Sequence, residues 1–309
     1  MSGRQTVVPD LLARSAARYA DELVATRRDI HAHPEVSRAE TRTTALLAER
    51  LERAGLEPRL LPGTGLVCDL GPAPGELVPG PAGTSVAAAG RVALRADIDA
   101  LPLQDRCSLP WASTVSGVAH ACGHDVHTAV VLGAGLVLAD LHVQGLLRRG
   151  VRLIFQPAEE VQPGGSLDVI AAGGLDEVDE IYGVHCDPKS DVGTVGTRIG
   201  PITSASDEVS VTIASPGGHT SRPHLTGDVV YALGQVITQV PAVLGRRLDP
   251  RSGVNLTWGA VHAGSAHNAI PSTGTVRGTC AASTCGRGSS PARSCTTRSS
   301  RSWLPTRSR

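Results

Sequence analysis

Three short apolar runs, each followed at once by acids or by a histidine, restrict this chain more than any other feature. Arg91–Ala96 runs into Asp97-Ile98-Asp99, Val151–Phe155 runs into "QPAEE" with Glu159 and Glu160, and Ile181–Val184 runs into His185. Runs of this length, rich in Val, Ile and Leu, read as buried strands. Between the first two lies Val126–Leu141, an apolar helix broken by Gly133 and Gly135. Strands alternating with helices predict an α/β unit around a mostly parallel sheet. In such sheets the carboxyl ends of the strands open onto the ligand crevice. The three polar clusters are therefore expected to face one place.

Upstream, Thr41–Gly55 carries Leu46, Leu47 and Leu51 on one helical face and stops at Gly, and a strand is expected over Gly65–Leu70. Residues 71–90, dominated by Gly, Pro and Ala, read as a loop. From Ser206 the pattern changes to the alternation "EVSVTIA", a Gly-rich turn "SPGGHTSRPH", a helix over Asp228–Val240 and strands near Val254–Val261 and Thr273–Gly278. That order predicts a second, α+β domain. The stretch from Ala281 has eight Ser, six Arg and no acid, and cannot build a core. It reads as a disordered basic tail or as a frameshifted reading of a GC-rich gene. The expected domains are 1–203, 204–280 and a tail over 281–309.

At 309 residues with 41% hydrophobic content, two domains with a sizeable core are expected. The 29 basic and 29 acidic residues cancel, which gives no electrostatic reason for a nucleic-acid partner. No run of 18 apolar residues occurs, and neither a membrane partner nor a signal peptide is expected. Seven irregularly spaced cysteines argue against a disulfide framework and for the cytoplasm. A small molecule is the expected partner.

The densest polar cluster is "HACGHDVH", His120–His127. Thiolate and imidazole both suit zinc or a similar divalent ion. Cys122 and His124 reach one ion if the backbone between them is extended, which Gly123 permits. The alternative is an ordinary helix start, with Asp125 favoured by the macrodipole. Glu159 and Glu160, being adjacent, point in different directions, so that one can face a metal and the other a substrate water; the alternative is a solvated acidic loop. His185 is either a ligand or a hydrogen-bonded strand-end histidine.

Taken in order, "RRDIHAHPE", "LRADIDALPLQD", "HACGHDVHTA", "LIFQPAEE", "GVH", "GGHTSRPH" and "HNAIP" resemble the amidohydrolase branch of the aminoacylase and carboxypeptidase G-type dinuclear metallopeptidases. Its members include hippurate hydrolases, N-acyl-L-amino acid amidohydrolases and auxin-conjugate amidohydrolases. The resemblance implies a three-layer α/β/α, zinc-exopeptidase-like catalytic domain that holds two divalent ions (Zn, Mn, Co or Ni). A ferredoxin-like α+β lid, which also mediates homodimerisation, interrupts that domain. It implies Cys122, His124, Glu160 and His185 as metal ligands and Glu159 as general base for hydrolysis of an N-acyl amino acid amide. His219 is implied as an oxyanion donor reaching a partner subunit, Asn268 and Arg277 as substrate-binding groups, and Asp97 and Asp99 as residues that orient ligands. His31, His33 and His127 recur in the pattern with either structural or site roles. Family members continue beyond the point where this chain ends and supply a last histidine ligand, so the catalytic domain is expected to lack its C-terminal portion. Two other readings stand beside the enzyme: a non-catalytic, weakly metal-binding remnant, and a hydrolase with Cys122 as nucleophile.

Overall fold

The structure, a computed structural model, describes residues 3–282 apart from 81–82, 198 and 200–201. The chain divides between Lys189 and Ser190 into two units. The Ser- and Arg-rich tail beyond Ala282 lies outside the described residues.

The first unit runs α1 (Gly3–Ala32), α2 (Thr41–Arg53), β1 (Pro58–Leu60), β2 (Leu66–Leu70), β3 (Leu77–Pro79), β4 (Ser85–Ala87), β5 (Arg91–Asp97), α3 (His124–Val143), β6 (Val151–Gln156), α4 (Ser166–Ala171) and β7 (Val178–Gly183). Its main sheet has the order β1-β2-β6-β5-β7. Neighbouring side chains on a strand face opposite sides, and that alternation sorts the core. Leu66 and Leu70 of β2, Ala96 of β5, and Leu153 and Phe155 of β6 pack with Leu47 and Leu51 of α2 and with Val131, Leu132 and Leu136 of α3. Val67, Ala93 and Ile154 turn the other way and meet Val169 of α4. The result is a three-layer α/β/α unit.

Helix α3 is long and apolar enough to cross a bilayer by composition. It is mostly buried, against α1 and the sheet, as a helix that is hydrophobic all round requires. It lies close to β6 because Gly135 has no side chain: a Cβ there would stand 2.4 Å from Leu153 Cδ1. The buried Arg152 of β6 is fully engaged. Its guanidinium grips Asp69 at 2.6 and 2.7 Å and donates to the carbonyls of Gly173 and Asp176, the bidentate geometry that makes a buried charge tolerable.

Three expectations need correction here. The sheet is mixed: β5 pairs parallel with β6 and β7, whereas β1–β2 and β2–β6 are antiparallel. The short connection over 61–65 is too brief for a parallel crossover and forces a hairpin. Within 71–90, β3 and β4 form an antiparallel hairpin, too short for strand periodicity to show. The N-terminal region, read only for a leader, is the 30-residue helix α1, with Tyr19 and Leu23 packed on the core.

The second unit contains β8 (Ala205–Ala214), β9 (Gly218–His219), α5 (Val229–Arg247), β10 (Asn255–Ala263), β11 (Ala269–Ile270) and β12 (Thr273–Ala282). An antiparallel sheet β10-β12-β8 carries α5 on one face, where Val229 and Leu233 pack on Val276 with Val211, Ile213 and Trp258 around them. Asp228 caps α5 by accepting the Tyr231 N–H at 3.0 Å. The helix does not stop at Val240 but continues through Pro241. Strand β12 likewise runs through Ala281 and Ala282, which pair with Ser206 and Ala205. Those two residues belong to the sheet rather than to the tail.

Candidate metal centre

The parallel strands deliver their polar ends to one side of the first unit. Asp97 closes β5 and Asp99 follows it, Glu159 and Glu160 follow β6, His185 follows β7, and Cys122 and His124 flank the start of α3. Donor atoms of Cys122, His124 and Glu160 lie within 4.8 Å of one another. His124 Nε2 stands 3.7 Å from Glu160 Oε1, and His185 Nε2 stands 3.6 Å from Cys122 Sγ. All four residues implied as ligands therefore converge.

The local backbone explains the convergence. Gly123 is not extended as expected: it sits at φ 87°, ψ 19°, in the left-handed region that glycine enters without penalty. That turn sets Cys122 beside the first residue of α3. Ala158 also takes a positive φ, 51°, and swings the chain out of β6 ahead of the two glutamates. The buried Glu40 holds this bend, accepting the Ala158 N–H at 2.7 Å and the Thr64 hydroxyl at 2.6 Å.

Hydrogen bonds fix the ring tautomers. His124 Nδ1 lies 2.9 Å from the Asp99 carbonyl oxygen, which only accepts, so the proton is on Nδ1 and the Nε2 lone pair faces Glu160. His185 Nδ1 likewise donates to the Cys186 carbonyl at 2.8 Å, leaving Nε2 toward Cys122. This is the arrangement that orients metal-bound imidazoles. His127 is different. Its Nε2 accepts the Cys186 N–H at 2.9 Å and its Nδ1 donates to Asp97 at 2.7 Å, so both nitrogens are used and its role is to hold the 185–186 segment. Asp99 contacts two of the residues implied as ligands: it accepts from His124 Nδ1 at 3.2 Å and from the Glu160 N–H at 3.0 Å, and it also accepts from Ser37 at 2.6 Å. His31 hydrogen-bonds Asp125 and His33 the Asp29 carbonyl; neither belongs to the cluster.

Acidic groups dominate the electrostatics of the cluster. Burial opposes ionisation of Asp99, but hydrogen bonds from His124, Ser37 and the backbone of Glu160 and Glu159 bring its pKa down to about 2. Asp97 is also lowered, burial again opposed by its bond from His127 and by Arg95. Burial raises the Glu159 carboxyl, and the neighbouring charges of Glu160 and Asp97 add to the rise. Burial and the nearby carboxylates push the Cys122 thiol up to about 12. His124 is pulled upward against its own burial by Asp99, Asp97 and Glu160. The buried His124 Nε2 and Glu160 Oε1 have no hydrogen-bond partner, an expense that native sites rarely leave standing. A borderline-soft divalent ion fits this thiol, imidazole and carboxylate set and satisfies both orphaned atoms. Glu159 stands apart: its Oε2 is 3.9 Å from His124 Nε2 and its side chain is 42% exposed, against 20% for Glu160.

The remaining expected residues lie in the second unit. His219 on β9 pairs with Ala269 of β11, and the Thr220 N–H donates to the Asn268 carbonyl at 3.2 Å, so His219 and Asn268 are neighbours. Ser221 donates its N–H to His219 Nδ1 at 3.1 Å, which places the ring proton on Nε2. Arg277 is elsewhere, on β12 opposite Ser210 and Ala260. Glu40, Ser37 and Arg95, which donates to Asp97 at 2.7 Å, support the site without having been singled out. Nothing in their local sequence marks them.

The description "Peptidase family M20/M25/M40" matches residues 93–290, more than half of the chain. The chain belongs to this family. A relative in it, the N-acetyl-L-cysteine deacetylase of Bacillus subtilis, is 39% identical over 260 residues, 84% of this chain and 58% of that one. A Rhodococcus jostii protein, provisionally named glutamate–cysteine ligase 2-3, is 49% identical over 259 residues, 84% of this chain but 30% of its own length. Among solved structures, a Bacillus subtilis protein described as a dinuclear metal binding peptidase of the M20 family superposes with a TM-score of 0.67 at 32% identity, over 90% of this chain and 67% of that one. The chain thus spans less than two thirds of the length of the curated relatives named here, and it shares the mixed α/β fold of the solved family structures.

Proposed function

We propose that the chain carries out metal-dependent hydrolysis of the amide bond of N-acyl amino acids, with Glu159 as general base. The observation that carries this is the convergence of Cys122, His124 and Glu160 around two orphaned buried atoms, with the raised carboxyl of Glu159 beside them. The printed name of the Bacillus deacetylase supports the substrate class. Cys122, His124, Glu160 and His185 would hold divalent metal ions, and the description of one solved relative as dinuclear supports two of them; Zn, Mn, Co and Ni suit this donor set. Such ions supply Lewis acidity, polarising a carbonyl and lowering the pKa of water toward neutrality.

The chain's own residues do the rest. Glu159 takes a proton from the attacking water and returns it to the leaving amine, work worth roughly 10²–10⁴-fold in rate. Its raised pKa shortens the mismatch between carboxylate and water as proton acceptors. Asp99 keeps the His124 proton on Nδ1, and Asp97 through His127 steadies His185. In the second unit, His219 with its proton on Nε2 is suited to donate to the oxyanion developing in a partner subunit's site. Asn268 beside it, and Arg277, are the groups proposed to bind the substrate carboxylate. We further propose a homodimer formed through the second unit, and the cytoplasm, whose reducing environment suits a ligand thiol.

Acyl-amino acid hydrolysis by the purified, metal-supplied chain tests the proposal. Glu159→Gln is expected to lower the rate by roughly 10²–10⁴-fold with metal content unchanged, and Glu160→Gln to reduce both. The reverse pattern, or no hydrolysis above background while a longer relative is active, refutes it.

A further inference from the structure

On the far side of His120 and Ala121 from Cys122, a cavity of about 580 Å³ is lined by His31, Asp105, Cys107, Trp111 and His120, among others. Three of these bring metal-ligand atoms within 4.8 Å of one another: an imidazole nitrogen of His31, a carboxylate oxygen of Asp105 and the Cys107 thiol. None belongs to the centre described above.

Two of the three donors are held from behind. His31 Nδ1 lies 2.8 Å from the fully buried Asp125 carboxylate, an acceptor only, so its proton is on Nδ1. Arg27 occupies the same carboxylate at 2.7 Å. His31 Nε2 is left facing Asp105 Oδ2 at 3.6 Å. Asp105 accepts the Cys107 N–H at 2.7 Å and the Ser113 N–H at 2.8 Å, and these backbone donors lower its pKa, so it enters the cavity as an anion. A protonated His31 between Asp125 and Asp105 would explain that pair alone. It leaves two facts unaccounted for. The Cys107 thiol points into the same cluster, and His120, 5% exposed and lining the same cavity, has neither ring nitrogen hydrogen-bonded. A buried polar ring without partners is rare unless a ligand or water completes it.

We propose that His31, Asp105 and Cys107 form a further cation site, separate from the Cys122 centre, for a borderline-soft divalent ion such as Zn²⁺, whose bound water would serve the unpartnered His120 ring on the same cavity wall. Carboxylate behind imidazole is the usual support for such a ligand. Bond lengths of about 2.0–2.3 Å in a tetrahedral site place donors roughly 3.5 Å apart. His31 and Asp105 already stand at about that spacing, and the Cys107 sulfur lies within 4.8 Å of both.

The test is residue-resolved alkylation of the full chain with iodoacetamide, followed by peptide mass spectrometry, with and without added Zn²⁺. Zn²⁺ is expected to slow modification of Cys107 by about tenfold or more, since a coordinated thiolate is no longer a free nucleophile. Asp105→Asn is expected to abolish that protection while protection of Cys122 persists; Glu160→Gln is expected to weaken protection of Cys122 and leave Cys107 protected. A Cys107 rate that does not change with Zn²⁺ in the unaltered chain overturns the proposal. So does protection of Cys107 that disappears with Glu160→Gln in protein shown folded by circular dichroism.

Discussion

Gly123→Ala probes the turn on which the candidate centre depends. The residue sits at φ 87°, where an L side chain crowds the following carbonyl at a cost of roughly 1–2 kcal/mol. A Cβ placed there would lie 2.9 Å from Cys186 Sγ and 3.1 Å from Cys186 Cβ, closer than real contacts allow, and forced overpacking of this kind adds about 1–3 kcal/mol. Cys186 cannot simply retreat, because its N–H is bound to His127 Nε2. Together the two terms give about 2–5 kcal/mol of destabilisation. The second consequence is functional. The Cys186 carbonyl holds His185 Nδ1, so displacing Cys186 moves a residue proposed as a ligand, and loss of such outer support is expected to lower metal affinity by about 10–100-fold.

Denaturant unfolding without metal measures the first term, and Zn²⁺ competition against a chelator the second. The two parts separate in a double-mutant cycle. Cys186→Ala removes the sulfur and leaves the left-handed backbone, so it is expected to recover about 1 kcal/mol in the Gly123→Ala background, beyond its own effect in the unaltered chain. An unchanged unfolding midpoint for Gly123→Ala, or a coupling of zero, would show that the turn is not what sets Cys122 against the 185–186 segment.

Other consequences can be checked in the same preparations. Leu153→Ala, at a fully buried position between α3 and the sheet, is expected to cost about 2–5 kcal/mol in denaturant unfolding; a smaller loss would mean that α3 collapses into the space. The Glu159 carboxyl is raised by burial and like charge, so in chelated protein its contribution to stability falls as pH rises from the ordinary carboxylate range through the folded pKa. Glu159→Gln is then expected to raise the melting temperature at pH 7, and no rise argues that Glu159 is solvated. Asp99 has the opposite sign. Lowered from 3.8 to about 2, it stabilises the fold above pH 3.8 and loses that contribution as pH falls toward 2, a loss that Asp99→Asn should remove from the acid-unfolding curve.

The difference between what the sequence discloses and what it hides follows from where each residue's partner lies. Asp97, Glu160 and His185 can be read because each directly follows a short apolar run, and a strand end in a parallel sheet has a known destination. Cys122 and His124 can be read because their chemistry and spacing lie within three residues. Glu40 cannot be: it precedes α2 like any helix-flanking acid, and only partners distant in sequence, the Thr64 hydroxyl and the Ala158 N–H 118 residues away, give it a task. Ser37, bound to Asp99 across 62 residues, is hidden for the same reason. The backbone conformations escape in a different way. Either an extended or a left-handed Gly123 satisfies the sequence, and the contact that decides between them is with Cys186, across the sheet. Strand direction is the third case, since periodicity along β2 is the same whether its neighbour runs parallel or antiparallel, and the connection length over 61–65 carries the information instead. The groups proposed to face an ion are thus read from local pattern, whereas the groups that hold them in place are defined by tertiary contacts. That is why substitutions at Glu40, Ser37 and Gly123, none of them a ligand, test the structure of the centre more severely than substitutions at the ligands themselves.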